Sequence, residues 1–177
     1  LLLDGLQPNF WRAPLDNDLG TGMPARTRVW QSAGRELDVQ SCKAKIKNNT
    51  VELVTSMIHD TTGTHLETRY TVYGNGVVAV DHSIKKINVN LPELPRFGMK
   101  MTLPGDFTSL EWFGRGPHES YWDRKTSAAV DHYSGTVFEQ TFPYVRPQET
   151  GNKTDVRWMA LSNGKYGLMV KGQPTFD

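Results

Sequence analysis

Three short runs concentrate the side chains able to do chemistry: Phe10-Trp11-Arg12-Ala13-Pro14-Leu15-Asp16-Asn17-Asp18, Trp112 through Arg124, and Pro143 through Asn152. In each, carboxylate, guanidinium or amide groups stand beside aromatic rings, punctuated by Gly or Pro. Such mixtures suit shaped loops better than a buried strand or helix. A carboxylate or a guanidinium makes bidentate hydrogen bonds, and an indole or phenol ring offers a flat apolar face. Together these hold the hydroxyls and the apolar patch of a sugar ring. The candidate cleft residues are therefore Asp16, Asn17, Asp18 and Gly20 around the first run, and Arg115, Glu119, Tyr121, Asp123 and Arg124 in the second. The third adds Glu149, with Arg157 just beyond it on an expected strand.

The same groups also have an ordinary structural use. Arg115, Glu119, Asp123 and Arg124 can pair with one another under Trp and Tyr rings, because a buried charge is tolerated only when paired. Asp16-Asn17-Asp18-Leu19-Gly20 can form an Asx-turn; it lacks the regular further ligands and closing Glu of a calcium loop. Gly114-Arg115-Gly116 lacks the third glycine and following helix of a nucleotide loop, and Pro117 interrupts it. Gly20-Thr21-Gly22-Met23-Pro24 has two glycines able to absorb backbone change, as a moving segment or a passive surface loop. The histidines (His59, His65, His82, His118, His132) show no paired metal spacing, so no metal site is expected. The lone cysteine, Cys42, reads as a small half-buried side chain on a strand, not as a reactive thiol. Asn48-Asn49-Thr50 and Asn152-Lys153-Thr154 match the glycosylation acceptor pattern, which matters only in a eukaryotic secretory setting.

Many short elements must position these runs. Val39–Lys43, Val51–Ile58, Leu66–Tyr73 and Val77–Ile84 read as strands, the last two joined by Gly74-Asn75-Gly76, a hairpin signal. Asn163-Gly164 marks a second hairpin between strands at 156–161 and 166–171. Further strands are expected at 98–103 and 108–112. Helical signals are few: Pro24–Ala33, with Pro24 in its first turn, and a turn or two within Lys125–His132. The expected fold is one all-β body over residues 1–177, with two packed antiparallel sheets. Its bare ends lead us to expect a piece of a longer chain.

A formal charge of +1, from 20 basic and 19 acidic residues, excludes the basic excess that nucleic-acid or membrane-surface binding needs. With 37% apolar and 22% charged residues the chain is expected to fold as a soluble body. No stretch approaches the ~20 apolar residues of a spanning helix. Cysteine scarcity does not fix the compartment.

The three runs resemble the C-terminal, small-chain domain of the β-galactosidases of glycoside hydrolase family 2. That family shows Trp-Arg-Ala-Pro-x-Asp-Asn-Asp, then Trp-x-Gly-x-Gly-Pro-x-Glu-x-Tyr-x-Asp-Arg, then Pro-Tyr-Val-x-Pro-x-Glu-x-Gly. Here the matches are Trp11–Asp18, Trp112–Arg124 and Pro143–Gly151, in the same order. Leu94-Pro95-Arg96-Phe97-Gly98 is similar to the family as well. The resemblance implies an antiparallel supersandwich of the galactose mutarotase type, here in part; the compartment stays open between the cytoplasm and periplasm of a bacterium. It implies that the catalytic glutamates of this retaining reaction lie on a separate TIM-barrel domain of the parent chain, so no catalytic residue is assigned here. It further implies a β-galactoside as partner, a homo-oligomeric parent, and Mg and Na on the catalytic domain with no cofactor in this piece. The Gly20–Thr27 loop matches by position a mobile loop near the family's active site. A stand-alone carbohydrate-binding module, using Trp112 and Trp122 as platforms, is the alternative. Mutarotase-type catalysis is suggested by shared fold alone, a weak warrant.

Overall fold

The computed structural model describes residues Leu1–Asp177. Ten strands carry the fold: β1 Asp4–Asn9, β2 Asp38–Lys47, β3 Thr50–His59, β4 Thr64–Tyr73, β5 Val78–Lys86, β6 Gly98–Thr102, β7 Ser109–Gly116, β8 Ala129–Thr136, β9 Val156–Ser162 and β10 Gly167–Phe176. Helix is confined to α1 Asp16–Gly20, α2 Met23–Arg26 and two 3₁₀ turns, Arg28–Trp30 and Phe138–Gln140. No helix is long and apolar enough to cross a membrane. The protein is all-β, with two four-stranded antiparallel sheets, β2-β3-β4-β5 and β10-β9-β7-β8, and a two-stranded β1-β6 pair.

Two compact units are present. One comprises Leu6–Arg12 and Asp18–Lys100; the other comprises Leu1–Gly5, Ala13–Asn17 and Met101–Asp177. In the first, strict alternation along β3, β4 and β5 sorts side chains to opposite faces of the sheet. Glu52, Arg69 and Lys43 stand on one face with Asp81, and Arg69 pairs with Glu52 at 3.1 Å. On the other face Leu66 joins Phe10, Trp30 and Ala33 in a buried cluster, with Met57 and Ile84 against it. Phe10 and Trp30 meet at 5.9 Å between ring centroids, and the Trp30 indole N–H donates to the Pro92 carbonyl. The first run therefore contributes Phe10 as a core anchor.

The second unit packs Leu110, Trp112 and Val156 with Tyr133, Met159, Leu161 and Phe176. Here the expected loop over Trp112–Gly116 is corrected: these residues continue β7, where Leu110, Trp112, Gly114 and Gly116 are all buried. The glycines that suggested a loop instead let neighbours approach. A Cβ on Gly114 would lie 2.9 Å from the Val156 Cα, and one on Gly116 would lie 2.8 Å from the Tyr133 ring. Lys125–His132 is not helical either. Its second half opens β8, because Val130, Tyr133 and Thr136 suit a strand and the whole segment pairs with β7.

Other boundaries also shift. The expected Pro24–Ala33 helix shortens to α2 and a 3₁₀ turn, Thr27 turning its hydroxyl back onto the Met23 carbonyl at 2.8 Å. β10 runs past Lys171 to Phe176, tolerating Pro174 because it is an edge strand with an irregular register there. β1 carried no signal strong enough to foresee. Cys42 is exposed rather than half-buried, since β2 is an edge strand.

Two residues near opposite ends of one face of β4 measure how unevenly that face is covered. Leu66 is 1% exposed and Val72 is 40% exposed. Leu66→Ala is expected to cost about 3 kcal/mol of stability, whereas Val72→Ala in this chain should cost under about 1 kcal/mol. Urea unfolding midpoints of the two variants check this.

Candidate functional site

The second and third runs meet in the second unit around Glu119. The chain leaves β7 at Gly116, and Ser120 lies against Asn152 and Thr154 like a short extra strand. Ser120 N–H donates to the Asn152 carbonyl at 2.8 Å, and the Asn152 side-chain amide donates back to the Ser120 carbonyl at 2.9 Å. The Ser120 and Thr154 hydroxyls, both buried, share a hydrogen bond of 2.9 Å. This zip places Glu119, 8% exposed, beside the segment from Tyr144 to Gly151.

Both Glu119 carboxylate oxygens are engaged. Oε1 accepts from the Arg124 guanidinium and the Tyr144 hydroxyl. Oε2 accepts from the Thr150 hydroxyl at 3.1 Å and the Gly151 N–H at 2.9 Å. Gly151 is required where it stands: its φ is +77°, and a Cβ there would sit 2.4 Å from the Gln140 carbonyl oxygen. Burial pushes the Glu119 pKa up, but the bonds from Tyr144, Gly151, Arg124 and Thr150 outweigh it, and the carboxyl titrates below its ordinary range.

Tyr121 and Arg124 close a turn by exchanging backbone hydrogen bonds of 3.1 and 2.9 Å. At its tip Asp123 is exposed and Trp122 is 74% exposed, with the Lys125 ammonium 4.0 Å over the indole centroid. The Tyr121 hydroxyl is buried. Its pKa is pushed up to about 12, by desolvation first and then by the negative fields of Glu119 and Glu149. Glu149 is half-buried nearby.

Arg115 serves a different corner. Its Nε donates to the Asp155 carboxylate, and its Nη1 donates to the carbonyls of Lys125 at 3.1 Å and Ala128 at 2.8 Å. The Arg115 hydrogen bond holds the Asp155 carboxyl below its ordinary pKa. Asp155 has φ +55° at the entry to β9, and Arg157 donates to its carbonyl at 2.6 Å while lying over the Phe113 ring. The expected Arg115–Glu119–Asp123–Arg124 pairing thus holds only for Glu119 with Arg124.

The first run is divided. Asp16 N–H donates to the Gln148 side-chain carbonyl at 3.1 Å, and the Asp16 carboxylate lies 3.6 Å from Arg146. Asp18 is gripped by both terminal nitrogens of Arg12. Asp16, Asn17, Asp18 and Gly20 form α1 rather than an open turn. In the Gly20–Thr27 segment Arg26 ties the loop, donating to the Thr21 carbonyl at 3.0 Å and pairing with Glu93. Trp112, expected as a possible sugar platform, is 2% exposed, and its indole N–H donates to the Arg115 carbonyl, so it serves the core.

Sequence reasoning passed over Tyr144, Thr150, Gly151 and Asp155, although the first three sit inside the third run. Their signal was present: a hydroxyl, a second hydroxyl and a glycine flanking a polar segment, ready to satisfy a carboxylate supplied from elsewhere.

Glu119→Gln replaces an all-acceptor group with one that turns a donor toward donors. A loss of about 2 kcal/mol is expected. Because the folded carboxyl has the lower pKa, its stabilisation is present above the unfolded pKa and is lost as pH falls through the folded one. The acid limb of stability against pH should therefore be shallower in Glu119→Gln; thermal melts from pH 7 to pH 3 test it.

Comparison with known proteins gives a consistent pattern. A family model described as beta galactosidase small chain matches residues 1–176. A beta-galactosidase from Priestia megaterium is 41% identical over 178 residues, covering 100% of this chain and 17% of the relative. One from Vibrio cholerae is 33% identical, covering 100% of this chain and 18% of the relative. One from Lactobacillus delbrueckii subsp. bulgaricus is 35% identical, covering 90% of this chain and 16% of the relative. The chain spans less than a fifth of the length of these curated relatives.

Proposed function

We propose a function from one premise: this chain belongs to the beta galactosidase small chain family. It is the portion of a β-galactosidase that frames the galactoside cleft, while the two carboxyl groups that cleave the glycosidic bond with retention stand on a TIM-barrel domain elsewhere in the same protein. The observation that carries this reading is the saturation of Glu119. A retaining glycosidase needs one carboxyl as acid/base and a second as nucleophile, about 5–5.5 Å apart. The acid works best with a pKa raised toward neutrality, whereas the Glu119 carboxyl is held low. As a nucleophile it is equally unsuited, because both oxygens already accept two donors each. Arg115, Tyr121 and Arg124 are then supports of the cleft wall, and Asp16 fixes the third run through Gln148 and Arg146.

The Mg and Na of the family belong, on this reading, with the catalytic domain. The donors around Glu119 are guanidinium, hydroxyl and backbone N–H groups, a set that completes a carboxylate's hydrogen bonding and does not ligate a cation.

One observation favours a second reading, sugar binding by this chain alone: Trp122 stands out at a turn tip with Lys125 over one face of its ring. Calorimetry with galactose or lactose separates the two. Binding at a Kd of about 1 mM or tighter, some −4 kcal/mol, abolished by Trp122→Ala, supports the second.

This chain by itself is expected to give no turnover of a chromogenic β-galactoside. In the full-length protein Glu119→Gln should lower kcat by less than about tenfold below its melting temperature, against the ~10²–10⁴-fold typical of losing an acid/base group. Turnover by the isolated chain that vanishes in Glu119→Gln or Glu149→Gln would overturn the division of labour.

A further inference from the structure

Lys153 is held between two fixed residues and has no partner for its charge. Ser120 grips both neighbours: its N–H donates to the Asn152 carbonyl at 2.8 Å, and its hydroxyl accepts from the Thr154 N–H at 3.0 Å. From that anchored backbone the Lys153 side chain crosses the buried Trp112 ring, and its ammonium stands 5.0 Å from the ring centroid. It makes no ion pair and no hydrogen bond. It lines a pocket of about 110 Å³ with Pro117, Glu139, Gln140, Thr141 and Phe142. The carboxylates bordering the same pocket are engaged elsewhere. Glu119 accepts from Arg124, Tyr144, Thr150 and Gly151, and Glu139 accepts from the Thr136 N–H and hydroxyl.

A lysine ordinarily carries its ammonium out to water and lays only its stem on apolar surface. Here the charged end stays over the indole. Burial moves the amine pKa below its ordinary value, and the field of Glu119 opposes that shift without cancelling it. A desolvated amine lacking a counter-charge spends more time as the free base, and its lone pair is then a nucleophile. The pocket beside it has room for several waters, or for a molecule of a few heavy atoms. Gln140 and Thr141 offer donors and acceptors to a hydroxyl, whereas Pro117 and Phe142 are apolar.

We propose that Lys153 and this pocket form a site for covalent capture of small hydroxyaldehydes. The neutral amine attacks the aldehyde carbon, a C–N bond forms, and the carbonyl oxygen takes up the proton that nitrogen gives up. Loss of that hydroxyl with the remaining amine hydrogen, together one water, leaves an imine. No oxidant, metal or cofactor enters the balance.

The experiment uses glycolaldehyde on the full-length protein at pH 7, with cyanoborohydride to reduce the imine to a stable secondary amine, located by peptide mass mapping. Lys153 in guanidinium chloride is its own reference. It is expected to react at least about threefold faster folded than unfolded, and its rate should level off at a lower pH in the folded protein. A bulky aromatic aldehyde, too large for the pocket, should show no such gain. Folded Lys153 reacting at or below its unfolded rate would overturn the proposal. So would an equal gain with the bulky aldehyde, the mark of an amine that works outside the pocket. No substitution is needed, so folding of a variant does not enter. Galactosidase activity is not the readout either, so the result stands apart from the functional reading.

Discussion

A carboxylate taken out of water must recover its hydrogen bonds from the protein, and Glu119 imposes that demand on this structure. An ionised group left unsatisfied in a dry site is far costlier than any single contact it makes. Its four donors come from three places: Arg124 from the turn after it, Tyr144 from the following loop, and Thr150 with the Gly151 N–H from the approach to β9. None of these segments belongs to a helix or to a strand of a sheet. Each meets the carboxylate with a donor, and the direction of the pKa displacement says which effect wins: burial alone would raise it, and the donors bring it below the ordinary value.

The sheet makes the demand possible. β7 and β9 run side by side, so the segments leaving β7 and entering β9 start as neighbours. Arg115 then fixes the corner by joining Asp155 to the carbonyls of Lys125 and Ala128. The Ser120–Asn152–Thr154 zip extends the pairing past the end of the strands, delivering Glu119 to its donors within a few residues. A polar cluster built this way is rigid, since every part is fixed by at least one other. Rigidity of that kind does not suit a group that must gain and lose a proton in each turnover.

Much of this was legible in the sequence. The alternation of Leu66–Tyr73 and Val77–Ile84 with Asn75-Gly76 between them, and the hairpin at Asn163-Gly164, both appear as read, because strand period and turn chemistry are local properties. What failed depended on partners remote in sequence. Gly114 and Gly116 read as loop glycines and prove to be points of close approach to Val156 and Tyr133. Residues 129–132 have mixed local preference and become strand only by pairing with β7. At the site, Glu119, Tyr121, Arg124 and Glu149 were among the candidate cleft residues; the structure joins Glu119 to Arg124 and sets Tyr121 in the fields of Glu119 and Glu149. Arg115 was expected to pair with nearby acids, whereas its partner Asp155 lies 40 residues further along the chain.

The same distinction decides how a motif rich in acids is to be interpreted. Density of Asp, Glu and Arg in a short run fits a reactive centre and a structural knot equally well, because both require carboxylates close to cations. What separates them is how many donors each carboxylate meets. A group that performs acid/base chemistry must keep a lone pair or proton available to the substrate and hold its pKa near the working pH. Glu119 keeps neither: its oxygens are shared among a guanidinium, two hydroxyls and a backbone N–H. Trp112 follows the same logic among the rings, its indole N–H bonded inward and its face closed by packing. The residues that made this sequence look most like an active site are those most fully engaged in holding these segments together.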